Sequence, residues 1–121
     1  MRDSWAMMET RTESGLFDGT NEVLLFDGVA KNQVLITKIM VRNEDTLTQS
    51  PMVRIHNTDR VGEDDEYIPF IENLQLGSQE TVVWDLIPYV IKPTQILEFE
   101  LPEEPTTNQP IWMVSYVELY V

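Results

Sequence analysis

The sequence predicts an all-β fold: an antiparallel β-sandwich or jelly-roll of about seven or eight strands, carrying an extended N-terminal arm. Three observations predict it. Short runs rich in β-branched and aromatic residues recur from Glu22 to the end, each bounded by Asn, Asp, Gly or Pro. Apolar and polar residues alternate within the runs, as in Leu97-Glu98-Phe99-Glu100-Leu101. The 121 residues suit one domain with a single sandwich core.

The elements follow in order. Residues 1–21 mix Trp5, Met7 and Met8 with polar residues and reach Ser14-Gly15 and Asp18-Gly19. They read either as a loose terminus or as an arm that orders on a neighbour with Trp5 as anchor. A short helix over residues 6–12 is an option, though so short a helix is marginal alone. On the arm reading, removing residues 1–20 leaves a folded sandwich with weakened assembly. The sandwich domain spans residues 22–121. Its first strand covers residues 22–26 and ends at the Asp27-Gly28 turn. The second covers 33–42 and ends at Asn43-Glu44-Asp45; the third covers 52–57. A long acidic loop leads to the fourth, 67–71, which Pro69 places at an edge or bulge. The fifth covers 80–86, the sixth 95–101 and the last 111–121.

Two strands carry apolar residues on both faces. In the last, Ile111, Met113, Val117 and Leu119 share one face, and Trp112, Val114, Tyr116 and Tyr120 the other. In the second, Leu35, Ile39 and Val41 oppose Val34, Ile36 and Met40. One sandwich core covers one face, so each strand needs a second surface to pack on. That surface is either the chain's own arm or loops, or a subunit interface. Trp and Tyr suit an interface, because they combine large area with a polar tip. The candidate interface residues are Trp5, Met7, Met8, Trp112, Val114, Tyr116 and Tyr120.

The formal net charge is −13. It opposes direct nucleic-acid binding, which needs Lys and Arg to displace counterions, and opposes an anionic membrane surface. Residues 43–121 hold fifteen acids against Arg54, Arg60 and Lys92. The acidity serves solubility, or it meets a basic docking surface on a partner. With no cysteine, disulfides and thiolate chemistry are excluded. No apolar run reaches the roughly 20 residues of a membrane-spanning helix. The N-terminus lacks the pattern of a signal peptide, so a protein made in the cytosol is expected.

Sites for chemistry are sparse. His56 is the single histidine and reads as a surface or cross-strand residue. There is no Gly-x-Ser-x-Gly elbow and no phosphate-cradling glycine loop. Asp59, Glu63, Asp64, Asp65 and Glu66 offer oxygen ligands for calcium, but Val61 and Gly62 break the EF-hand spacing, which leaves a solvated loop tip. Glu98 and Glu100 share a strand face, as a glycosidase pair must, and neighbouring acids on a wet face are common. Trp112, Tyr116 and Tyr120 offer a sugar-stacking platform, a role the interface reading replaces. The expectation is a non-enzymatic structural or binding module with no cofactor and no metal.

Four segments carry a family resemblance. They are Val34-Leu35-Ile36-Thr37-Lys38-Ile39-Met40-Val41-Arg42-Asn43, Leu76-Gly77-Ser78-Gln79-Glu80-Thr81-Val82-Val83-Trp84, Val90-Ile91-Lys92-Pro93-Thr94-Gln95-Ile96-Leu97 and Trp112-Met113-Val114-Ser115-Tyr116-Val117-Glu118-Leu119. Together they resemble the small β-sandwich virion structural proteins of tailed bacteriophages, from about Val23 onward. Pro93-Thr94-Gln95 stands where that family carries a Pro-Gly-Asp turn. The resemblance implies a virion location after assembly in the host cytoplasm. It implies a capsid decoration or cement protein, or else a neck, adaptor or tail component, with the major capsid protein or other virion proteins as partners. It carries over no catalytic residue. A symmetric lattice is met by a closed homo-oligomer, and a trimer at a three-fold axis is the favoured form. A carbohydrate-binding module is the further alternative.

Overall fold

A computed structural model describes residues 7–18, 20–23, 33–102 and 107–120. They form eight strands: β1 (Met7–Leu16), β2 (Thr20–Val23), β3 (Gln33–Arg42), β4 (Met52–Asn57), β5 (Tyr67–Ile71), β6 (Thr81–Ile91), β7 (Gln95–Glu100) and β8 (Ile111–Tyr120). The first sheet has the order β1-β8-β3-β6 and the second β2-β7-β4-β5. Every strand pair is antiparallel. This interleaving of two four-stranded sheets is jelly-roll topology. The all-β sandwich expected from the sequence is the fold observed. Among the described residues no helix is long and apolar enough to cross a membrane.

The core lies between the sheets. Val34, Ile36, Ile39, Val41 and Val114 enter it from the first sheet, and Val53, Ile55, Leu97 and Phe99 from the second, all without exposed surface. Phe17, in the turn after β1, is equally buried and meets Phe99 edge-on at 6.0 Å. Trp112 lies flat on Phe99 and joins the two sheets across the core. Its indole occupies the space over Gly15: a Cβ there would lie 2.8 Å from Cζ2. Gly15 pairs with Trp112 in the β1–β8 register, so the absence of a side chain makes room for the ring.

The bounds expected for residues 33–42, 52–57 and 67–71 match β3, β4 and β5. Three expectations are corrected. Residues 6–12 do not start a helix: from Met7 onward the backbone is a strand, paired with β8 along its length. Thr10-Arg11-Thr12-Glu13-Ser14 is polar on both faces, so it shows no apolar period; backbone pairing and Phe17 hold it. β6 runs on through Pro88 to Ile91, with three residues opposite one of β3 where the ladder is offset. A bulge accommodates the missing proline N–H there. In β3, one extra residue between Ile36 and Lys38 reverses the alternation. Val34, Ile36, Ile39 and Val41 therefore share the inner face, and Leu35 and Met40 are half-buried on the outer one. The expected first strand, residues 22–26, falls partly on β2, and its residues 24–26 lie outside the described ones.

A polar lock closes one end of the sandwich. Asn43, Asp45 and Gln49 are buried. Asn43 Nδ2 donates to the carbonyls of Leu47 and Leu76 at 2.8 and 2.9 Å. Asp45 accepts from Gln49 Nε2 at 2.6 Å and from both the N–H and the hydroxyl of Thr107 at 2.8 Å. Buried polar groups satisfied in this way fix the loops without adding apolar area.

Candidate functional site

The outer face of the first sheet is built by register. Met113 on β8 pairs with Met40 on β3, and Met40 with Val83 on β6. Two rows along the strands, Val117 pairs with Leu35 and Leu35 with Val90. Between these apolar rows runs a polar one: Thr12 with Ser115, Ser115 with Lys38, Lys38 with Asp85. Thr37 Oγ1 donates to the carbonyl of Ser115, and Lys38 Nζ lies 3.7 Å from Asp85. Val83 and Val90 are 47% and 46% exposed. Met40, Met113, Val117 and Leu35 are half-buried, and Ile111 and exposed Leu16 extend the face at one end. Two partly exposed apolar rows flanking a polar one make this outer face the candidate interaction surface.

The expected interface residues fall differently. Trp112, Val114 and Tyr116 point into the sandwich, 7%, 0% and 6% exposed. They are core residues, so they line no exposed interface and no sugar platform. The Trp112 Nε1 is buried with no hydrogen-bond partner among the described residues. Trp5 lies outside the described residues, as do the side chains of Met7, Met8 and Tyr120, whose backbones pair in β1 and β8. The partition of β8 into two apolar faces holds, but the outward one carries Ile111, Met113 and Val117. A signal for this was present: Ser115 interrupts that face, whereas Trp112, Val114 and Tyr116 run unbroken.

The outer face of the second sheet is charged. Arg54 Nε donates to Glu98 Oε1 at 2.8 Å, and Arg54 Nη2 lies 2.9 Å from Glu100 Oε2. Its guanidinium also covers the ring of Tyr67, 4.2 Å from the centroid. His56 stacks on the same ring at 4.5 Å. Its Nε2 is hydrogen-bonded to Glu66 Oε2 at 2.8 Å, while its Nδ1 lies 3.1 Å from Glu98 Oε2, outside hydrogen-bond alignment. Glu98 is therefore no wet acid: it is 4% exposed beneath Arg54 and His56. Burial draws the Arg54 guanidinium down, but Glu98 and Glu100 outweigh it and hold its pKa above the ordinary value. The Gly62 N–H, then the His56 ring, holds the Glu66 carboxyl below the usual range. Lost hydration, then the charges of Glu66 and Glu98, raises the Tyr67 hydroxyl. The cluster is a cross-strand ladder of alternating charge on which Tyr67 is clamped.

The acidic loop does not gather its carboxylates. Glu66 turns to His56 and Gly62, and Asp65 pairs with Arg60 at 2.9 Å. Among the described residues no three acidic or imidazole side chains converge as a metal site would require. A cleft of about 420 Å³ lies between this loop and the turn before β7, lined by Asn57, Tyr89, Lys92 and Gln95 among others. Its Asn57 and Gln95 side chains are bonded to each other and to the loop backbone.

No protein-family model matches the chain, and no curated protein matches it in sequence. Among solved structures it is similar to the core of Drosophila NLP, with a TM-score of 0.54 at 14% identity over 91% of this chain and 95% of that one. That structure is described as giving insight into pentamer formation and histone binding. The chain is also similar to the coat protein of tobacco streak virus, with a TM-score of 0.42 at 9% identity over 98% and 88% of the two chains. A chain of infectious bursal disease virus gives 0.42 at 10% identity; this protein spans 96% of its own length and 32% of that one's. At these identities the likeness to the NLP core is one of fold, and the two viral likenesses, under a TM-score of 0.5, add nothing to it.

Proposed function

We propose that this chain is a non-enzymatic virion structural protein, a capsid decoration or cement protein of tailed-phage type. It binds the major capsid protein through the outer face of its first sheet. The observation that carries this reading is the apolar double row Met113–Met40–Val83 and Val117–Leu35–Val90 on an otherwise acidic domain. Such a face needs a cover, and strong negative charge keeps the uncovered protein dispersed until it meets one. The four segments that resemble phage virion proteins supply β3, β8, parts of β6 and β7, and the turns between the last two. Jelly-rolls recur in viral capsids and also in lectins, so the fold is compatible with the role without assigning it. The protein acts as a homo-oligomer and resides in the virion, assembled in the host cytoplasm.

The test is sedimentation of purified protein with undecorated capsids. Saturable, stoichiometric binding that Met113→Lys abolishes supports the proposal; no binding at any salt concentration overturns it. Copy number per particle separates decoration, at hundreds, from a neck, adaptor or tail component, at about a dozen or fewer.

A second reading takes the acidity itself as the site. Residues 43–121 carry fifteen acids against three bases, and a fold neighbour with a TM-score of 0.54 is described by histone binding. A basic protein partner held by charge alone would dissociate steeply as salt rises, whereas docking by the apolar rows would persist.

A further inference from the structure

We propose that two copies of this chain join edge to edge through β6, antiparallel about a two-fold axis at Val83, to make one continuous eight-stranded sheet. The inference does not rest on the virion role. β6 ends the first sheet, and no described strand pairs with its outer edge. Glu80 accepts at its carbonyl from the N–H of Asn43 at 2.9 Å, which turns Glu80 toward β3. Backbone groups alternate along a strand, so Thr81, Val83 and Asp85 turn their N–H and C=O outward. These three residues form the available edge, because the bulge before Tyr89 takes the following residues out of the ladder.

The occupant that fits is a second copy. Pairing Val83 with its symmetry mate sets Thr81 opposite Asp85 in both directions. All three outward residues are then used, and the two Asp85 carboxylates stay apart. A hydroxyl meets each carboxylate, where a register shifted by two residues would leave an end of the edge unpaired. On the inner side the same register puts Val82 against the partner's Trp84. Both are half-buried and packed at the margin of the core, with apolar surface left to cover. On the outer side the rows become continuous, Met113–Met40–Val83 running into its own copy. Thr81, Val82, Val83 and Trp84 carry none of the usual guards of a free edge, no proline and no charge, and the one charge at its end, Asp85, is paired with Lys38 of its own chain. Lattice symmetry alone favours a trimer, but the edge's own register favours a two-fold. The contact is short, so the dimer forms with rising concentration.

The chain's lack of cysteine makes the register directly readable. At the two-fold, residues 83 of the two copies have Cα atoms about 5.5 Å apart, inside the roughly 4.4–6.8 Å span of a disulfide. Residue 81 lies about 14 Å from its own mate, four residues along the strand. Mild oxidation is expected to link Val83→Cys into a covalent dimer. Thr81→Cys or Asp85→Cys alone gives no covalent dimer, and the mixture of the two cross-links. In sedimentation velocity the unmodified protein is expected to shift from monomer to dimer with concentration, and Val83→Lys to lose the dimer while unfolding at the same temperature. Val83→Pro, which removes an outward N–H and no hydrogen bond to β3, gives the same loss by a second route. The proposal is overturned if the protein stays monomeric at every soluble concentration. Equal cross-linking of all three single cysteines overturns it too, as does a dimer that Met113→Lys abolishes and Val83→Lys does not, which would place the contact on the sheet face.

Discussion

The indole of Trp112, on β8 of the first sheet, stacks on the ring of Phe99, on β7 of the second, with centroids 4.4 Å apart and planes 10° from parallel. A residue that the sequence offers for an interface is therefore the bolt between the sheets, and the proposed docking face lies on the other side of its strand.

Trp112→Ala is expected to destabilise the fold by about 3–5 kcal/mol, through the lost contact and the cavity left behind. Gly15→Ala pushes a methyl group into the same ring and costs about 1–3 kcal/mol. Denaturant unfolding monitored by tryptophan fluorescence and circular dichroism measures both. Values near zero would remove Trp112 from the core.

Met113→Lys and Val117→Lys change the outer face without opening the core. They are expected to lower the melting temperature far less than Trp112→Ala and to abolish capsid binding. A variant that unfolds at the normal temperature and still binds would free the face from any part in docking.

Arg54→Ala leaves Glu98 buried with its guanidinium partner gone. Breaking one member of a buried pair costs on the order of 3 kcal/mol, whereas the exposed pair Arg60–Asp65 gives under about 1 kcal/mol. The difference between Arg54→Ala and Arg60→Ala in urea unfolding reads this directly. The double change Arg54→Met with Glu98→Leu is expected to recover most of the loss.

Glu66 sets an acid limit. Its carboxyl titrates lower in the folded chain than in the unfolded one, chiefly through the Gly62 N–H and then through His56. Its stabilising contribution is complete above the ordinary glutamate pKa of about 4.3 and disappears as pH falls through the lower folded value. Stability measured against pH is expected to decline on acidification in that window, and Glu66→Gln to flatten that part of the decline. An unchanged profile in the variant would contradict the assignment.

Removal of residues 1–20 takes away β1 and the fully buried Phe17. The truncated chain is expected to lose cooperative unfolding or to melt far lower, and Phe17→Ala alone to cost about 3–5 kcal/mol. A truncated chain as stable as the whole would restore the N-terminal segment to a detachable arm.

Much of the fold was legible because its central strands advertise themselves. β4, flanked by Pro51 and the acidic loop, and β7, with Leu97 and Phe99 on one face and Leu101 just beyond it, carry both period and punctuation. β1 was not legible, because an edge strand held by main-chain pairing needs no apolar period. The candidate face was half legible. The need for a second cover on β3 and β8 follows from composition, but which side is outward depends on one extra residue near Thr37 and on Gly15 opposite Trp112. Both are facts of register, and register is a property of paired strands. The charged cluster was hidden for the same reason: Arg54, Glu98 and Tyr67 are far apart in sequence and meet only through β4–β7 and β4–β5 pairing.

The most direct measurement is a cryo-microscopy map of the intact particle at side-chain resolution. The account expects Met40, Met113, Val117 and Leu35 to be covered by capsid protein, with the Arg54–Glu98–His56 face in solvent. Density that buries the charged face and leaves the methionine row bare would contradict it.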